Sequence, residues 1–226
     1  MTRVADPVPY KGLSSLASLC AFCAVALPVA AQARGPELRT YETRYYTLHT
    51  DLAENDVREA TLRVTLMAEE YFRRTEGLAG TVRARLPFYL FRNRDDYEAF
   101  GGRPGSAGVF TGKFLMAVGD ARNPDATWHA VQHEGFHQFV QAAIGPELPI
   151  WANEGLAEYF GQGLFTGDEF IVGLIPPARL ARLKTELKDD RLKPLRDMML
   201  MSAEAWGVTL TGANYDQAWS MVHFLV

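Results

Sequence analysis

The sequence predicts an α+β domain: a small mixed sheet followed by a mainly helical C-terminal part. Two observations lead there. Up to about residue 118, short apolar or alternating runs are separated by turn residues. From Thr127 onward the apolar residues recur at helical spacing. A third observation bounds the class. Of the 226 residues, 48% are hydrophobic and 22% charged, the balance of a globular chain and not of a disordered or coiled-coil one. The net charge of −4 leaves no basic excess to neutralise phosphates, which argues against nucleic acid as a partner.

The chain opens on an address. Residues 1–12 carry Arg3 and Lys11, residues 13–30 are apolar and uncharged, and Ala31-Gln32-Ala33 closes the segment. A basic start, an apolar core and a small-x-small end form a secretory signal peptide, with cleavage expected after Ala33. An N-terminal anchor is the alternative, weakened by Pro28 and by the lack of a following basic cluster. The expectation is an exported protein, periplasmic or secreted, with one domain over 34–226 and no stable membrane span after cleavage. Both cysteines, Cys20 and Cys23, fall inside the leader, so disulfides cannot hold the domain together.

Each element then has its own signal. Residues 44–50 alternate aromatic and polar side chains, as a half-buried strand does. Residues 57–74 place Ala60, Val64, Met67, Ala68 and Tyr71 on one helical face. Residues 86–91 form a buried strand with Pro87 near its start, and 95–100 a short helix. The Gly/Pro-rich 101–108 stretch is a loop, and 109–111 with 114–118 make a hairpin or two short strands. Helices follow at 127–144, 150–160, 177–187 and 214 to the end, with Asp125 and Thr127 as caps for the first. The helix at 177–187, carrying Arg179, Arg182 and Lys184, reads as a solvated amphipathic surface. Ala218, Trp219, Met221, Val222, Leu225 and Val226 form an apolar stripe running to the last residue. The expectation from it is a longer parent chain, or a partner covering this helix.

The chemistry lies on the first of the late helices. His133-Glu134-Gly135-Phe136-His137 places two imidazoles four residues apart, on one helical face and within reach of one ion. Glu134 projects beside them, where it can take a proton from a water on that ion. Gly135 weakens such a helix by about 1 kcal/mol relative to alanine, which points to something packed closely against it. After a Gly-Pro-Glu-Leu-Pro turn comes Trp151-Ala152-Asn153-Glu154-Gly155-Leu156-Ala157-Glu158. The short connection makes the two helices neighbours, so Glu154 can supply a third ligand. Two histidines, one carboxylate and an open position make a catalytic zinc site rather than a closed structural one.

H-E-x-x-H followed by N-E-G-x-x-E resembles the gluzincin zinc metallopeptidases, and most closely small bacterial peptidase-MA-like proteins of unknown substrate. The resemblance is specific over residues 127–160 and looser elsewhere. It implies one zinc per chain on His133, His137 and Glu154, with Glu158 the alternative third ligand, and it makes Glu134 the general base. It places Glu158 and Asn153 behind the ligands, where they fix the imidazoles. It also implies a sheet-edge strand beside the metal that pairs with an extended substrate, for which Phe114, Leu115, Met116 and Ala117 in the 113–119 segment are the expected residues. That segment lacks the glutamate by which the family's aminopeptidases grip a free amine. The segment from Asn214 to Trp219 resembles the family's tyrosine-led helix, which makes Tyr215 an oxyanion donor; a tyrosine packed in the core is the alternative. His129, one turn before His133, reads as a partly exposed neighbour of the site. The expected function is an exported zinc-dependent hydrolase acting on a peptide or protein substrate. A non-catalytic, metal-stabilised envelope binding or assembly domain is the alternative.

Overall fold

Five strands build one sheet: β1 (Arg39–Glu42), β2 (Tyr46–Thr50), β3 (Leu86–Phe91), β4 (Gly108–Phe110) and β5 (Leu115–Val118). The computed structural model describes residues 35–120, 122–209 and 211–226, so the leader expected at 1–33 lies outside the described residues. The strand order is β1-β2-β3-β5-β4. β2, β3 and β5 run parallel, and each outer strand is antiparallel to its neighbour. This is the mixed sheet that the early strand signals predict.

The order corrects one expectation. β5 is not the edge strand: β3 pairs with it on one side and β4 on the other. Leu115, Met116 and Ala117 are completely buried, and Phe114 packs on Tyr89 and Phe100. Their backbone has no open side to offer an extended peptide. The physical reason is visible in Leu-Met-Ala-Val, a continuous apolar run of the kind that a strand covered on both faces requires. The edge beside the helices is β4.

The side chains of this run divide by the strand period of two. Leu115 and Ala117, with Phe88 and Leu90 of β3, enter the main core under α1 (Glu54–Arg74) and α3 (Pro124–Phe139). Met116 and Val118 face a smaller core with Phe91 and Tyr97, the latter from α2 (Arg94–Ala99).

α3 starts differently from the sequence expectation. Its cap is Asn123, whose side chain accepts from the Ala126 amide at 3.3 Å, and Pro124 occupies the first turn where a missing N–H costs nothing. Thr127 instead donates to the Val118 carbonyl at 2.8 Å and accepts from the Asp120 amide at 3.1 Å. The hydroxyl pins the helix to the end of β5. About two turns further on, Gly135 lies against α1: a Cβ there would meet Met67 Cε at 3.2 Å and the Tyr71 hydroxyl at 3.4 Å. The glycine of the motif is thus a packing residue, as its helix-weakening presence suggests.

α3 ends in a π-helical turn, Val140–Ile144, closed by the Gly145 amide on the Val140 carbonyl at 2.8 Å. Gly145, at φ +101, reverses the chain in a conformation that L side chains rarely adopt. α4 (Ile150–Gly161) then returns across α3, and the buried Gln132 amide ties the two by donating to the carbonyls of Phe160, Gly161 and Gly163. A short hairpin, β6 (Leu164–Phe165) and β7 (Phe170–Ile171), leads into four helices: α5 (Pro177–Lys188), α6 (Leu195–Met199), α7 (Ala203–Val208) and α8 (Gly212–Leu225). β1, this hairpin, α6 and α7 are short elements without a sequence period of their own. α8 crosses α4 so closely that a Cβ on Gly155 would meet the Ala218 carbonyl oxygen at 2.5 Å. Ala218, Trp219 and Val222 of the C-terminal stripe are buried, whereas Phe224, Leu225 and Val226 are exposed. No helix among the described residues is long and apolar enough to cross a membrane.

Candidate metal centre

Three side chains from two helices converge on one point. His133 and His137 of α3 bring their Nε2 atoms within 3.1 Å of each other, and Glu154 of α4 places Oε2 3.5 Å from the first and 3.6 Å from the second. A tetrahedral ion with bonds of about 2.0–2.1 Å separates its ligand atoms by about 3.3 Å, so the three atoms stand where such an ion needs them. They form a group that could hold a metal ion.

The partners on the far side of each ring make the case chemical as well as geometric. His137 Nδ1 lies 3.1 Å from Asn153 Oδ1, and His133 Nδ1 lies 3.4 Å from Glu158 Oε1. With the Asn153 amide oriented this way, both partners are acceptors, so in the neutral rings each Nδ1 carries the hydrogen and each Nε2 keeps its lone pair. Two such lone pairs 3.1 Å apart repel unless a cation or a proton sits between them. Glu154 Oε2 adds a buried oxygen that makes no hydrogen bond to the protein. Buried polar atoms are rarely left unsatisfied, and these three share one unfilled valence direction.

The electrostatics agree. Burial works against charge on His133, Glu154 and Glu158, but their partners of opposite charge overcome it. His133, between Glu154 and Glu158, is raised to about 10. Glu154, against both histidines, and Glu158, against His133 and Arg179, are each lowered to about 2. Two carboxylates held as anions around one imidazole define a place that favours positive charge.

A second group shares His133 and comprises His129, His133 and Glu158. It is the poorer cradle. Glu158 Oε2 is 3.9 Å from His129 Nε2 and already takes a hydrogen bond from the Arg179 guanidinium, which supplies the cation locally. The ligand set expected from the sequence, with Glu154 rather than Glu158, is therefore the one that the geometry converges on.

Glu134 points from α3 toward the sheet edge. Its Oε2 accepts from the Phe110 amide, the last residue of β4, at 2.9 Å. One side of the edge strand thus fixes the carboxylate that neighbours the ligands. Tyr215, on the first turn of α8, returns to the centre: its ring lies 6.4 Å from that of His133 and edge-on to Trp206. Burial, and then the negative charge of Glu154, raise its phenol above the ordinary range.

Sequence reasoning missed two residues here. Arg179, expected on a solvated face, is only 7% exposed and pairs with Glu158 and, through Nε at 2.8 Å, with Asp216. Asp216 is 2% exposed and is held also by Arg182 at 2.9 and 3.0 Å. An arginine on an otherwise exposed helix carries no local sign of burial. Only the position of Asp216, directly after Tyr215, could have drawn the eye. The other charged residues of the solvated helix, Lys184 among them, are exposed as expected, apart from Glu186.

Residues 127–226 match a family described as a protein of unknown function (DUF1570). The matched stretch runs from the first turn of α3 through α8 and contains every side chain of the centre. None of the curated proteins matches the chain.

Proposed function

We propose that the chain is an exported zinc-dependent hydrolase of the gluzincin type that cleaves peptide bonds. The observation that carries this reading is the convergence of two lone-pair imidazole nitrogens and one orphaned carboxylate oxygen, with a second carboxylate, Glu134, held beside them by the sheet edge. Zinc is favoured over other divalent ions by the ligand set: two imidazoles and one carboxylate suit it, and no further ligand among the described residues joins this group. A zinc ion held by these residues would acidify a water and polarise a carbonyl.

The remaining steps belong to the chain's own groups. Glu134 is the base: it takes the proton of the attacking water and returns it to the departing amine. A metal kept only for stability needs no such carboxylate, which favours a hydrolase over a binding or assembly domain. Asn153 and Glu158 keep the imidazoles in the tautomer that ligates. Tyr215 is the hydroxyl donor for the oxyanion of the tetrahedral state, a role suited to a half-buried phenol that stays protonated. β4 replaces the 114–117 segment as the strand on which an extended peptide would lie. Export rests on the basic, apolar and small-residue pattern of the first 33 residues.

The test joins metal analysis to cleavage of a broad peptide library by wild type and by Glu134→Gln. The expected result is about one zinc per chain in both, with cleavage by the wild type alone, because an amide cannot accept the proton. Zinc binding without cleavage in the wild type would favour the non-catalytic alternative, and equal cleavage by both proteins would remove Glu134 from the mechanism.

A further inference from the structure

One guanidinium joins two buried carboxylates from different helices behind the metal centre. Arg179 of α5 donates through one terminal nitrogen to Glu158 Oε2 of α4, and its Nε lies 2.8 Å from Asp216 Oδ1 of α8. The guanidinium carbon also lies over the Trp219 ring, 5.3 Å from its centroid. Glu158 Oε1 is the oxygen facing His133 Nδ1, and Asp216 directly follows Tyr215. The fork therefore touches, at one remove, both a ligating imidazole and the turn that carries the phenol.

We infer that Arg179 is a positioning residue: it holds Glu158 as the acceptor behind His133 and couples that carboxylate to the start of α8. The inference rests on the metal-centre reading above. Three facts make the coupling specific to arginine. The two carboxylates meet separate nitrogens of one rigid plane, a hydrogen bond to Glu158 and an ion pair with Asp216, and a lysine ammonium has only one nitrogen to present. Glu158 and Asp216 are 7% and 2% exposed, and although Arg182 also serves Asp216, Arg179 is the cation that the two buried carboxylates share. Last, Glu158 Oε2 is the oxygen that would otherwise turn to His129, 3.9 Å away, and complete the second, overlapping ligand group. By occupying that oxygen, Arg179 keeps Glu158 out of the ligand set and commits His133 to the group with His137 and Glu154.

The test is a double-substitution cycle read by zinc affinity, measured by competition with a chromophoric chelator. Arg179→Gln should weaken zinc binding by about 10–100-fold, the usual loss when a residue supporting a ligating histidine is removed. In a Glu158→Gln background, where the anion is gone, the same substitution should change affinity by less than about threefold. An arginine that merely stabilises the fold would cost the same in both backgrounds, and that result, or no loss in either, would overturn the inference. If Arg179→Gln does not fold, Arg179→Lys keeps the charge and enters the same cycle. Its expected loss is about three- to tenfold and again depends on Glu158. A wild type that binds no zinc would instead overturn the metal-centre reading itself.

Discussion

Gly155→Ala is the sharpest probe of how the helices hold the centre together. The added Cβ would lie 2.5 Å from the Ala218 carbonyl oxygen, 2.9 Å from its carbon and 2.8 Å from Val222 Cγ2. Ordinary C···O approaches are about 3.3–3.6 Å, so α8 must retreat by roughly 0.8–1 Å at the crossing. The obstacle is backbone, which cannot swing aside as a side chain can. Overpacking of this kind costs about 1–3 kcal/mol, and replacing a helical glycine with alanine returns up to about 1 kcal/mol. A net loss near 1–2 kcal/mol lowers the melting temperature of a domain this size by about 2–8 °C. Gly207→Ala is the control: it lies in α7 with no atom within 4 Å of the new methyl, and should be neutral or slightly stabilising. Thermal unfolding of the zinc-free proteins decides the matter. If Gly155→Ala melts no lower than Gly207→Ala, the crossing is not as tight as described, and the argument that α4 dictates the position of α8 fails.

Tyr215→Phe should leave zinc content and melting temperature nearly unchanged while lowering kcat and kcat/KM together by about 10²–10³, as the loss of one oxyanion donor does; a stability loss with normal turnover would return the tyrosine to the core. Asn153→Ala removes the acceptor at His137 Nδ1 and should weaken zinc by about 10–100-fold with little effect on the zinc-free fold, measured by chelator competition. Glu70 supplies a pH-dependent prediction away from the centre. Burial opposes its charge, but hydrogen bonds from Arg73 and Arg74 prevail and hold the carboxyl below its ordinary 4.5. A depressed carboxylate contributes stability above its unfolded pKa and loses it as the pH falls through the folded one. Glu70→Gln should therefore cost about 1 kcal/mol at pH 7, a figure already reduced for the partly exposed arginines. The gap to wild type should close below pH 4 in denaturant melts, and a gap independent of pH would show that packing, not charge, is at stake.

What was legible in the sequence follows the length of each signal. α1, α3, α4 and α8 repeat an apolar face over several turns, and β3 is an uninterrupted apolar run, so their positions could be read to within a few residues. The candidate metal ligands were legible because helical spacing alone aligns His133 with His137, and a five-residue turn brings α4 back beside them. The edge strand was not. Val109 and its neighbours look no more like an edge than Leu115 to Val118 do, because which strand ends a sheet depends on pairing partners that lie far away in the chain. Arg179 was illegible for a related reason: its burial is imposed by Glu158 and Asp216, which lie 21 residues before it and 37 after. The cap of α3 is Asn123, two residues before Asp125 and four before Thr127, whose hydroxyl is used on the end of β5 instead.

Among the described residues the centre has one hydrogen bond to the sheet, from the Phe110 amide to Glu134, and that contact is blind to side-chain identity. Every residue type except proline carries the same N–H. The ligands, their supporting partners and the phenol all lie within residues 127–226, so the chemistry is written in the second half of the chain while the first half contributes shape. The strands can therefore change much of their lettering, provided that β4 ends at the same height beside α3. Phe110→Ala should spare the geometry of Glu134, whereas Phe110→Pro should release it. A comparison of strand sequences alone would accordingly say little about whether two such proteins share a mechanism.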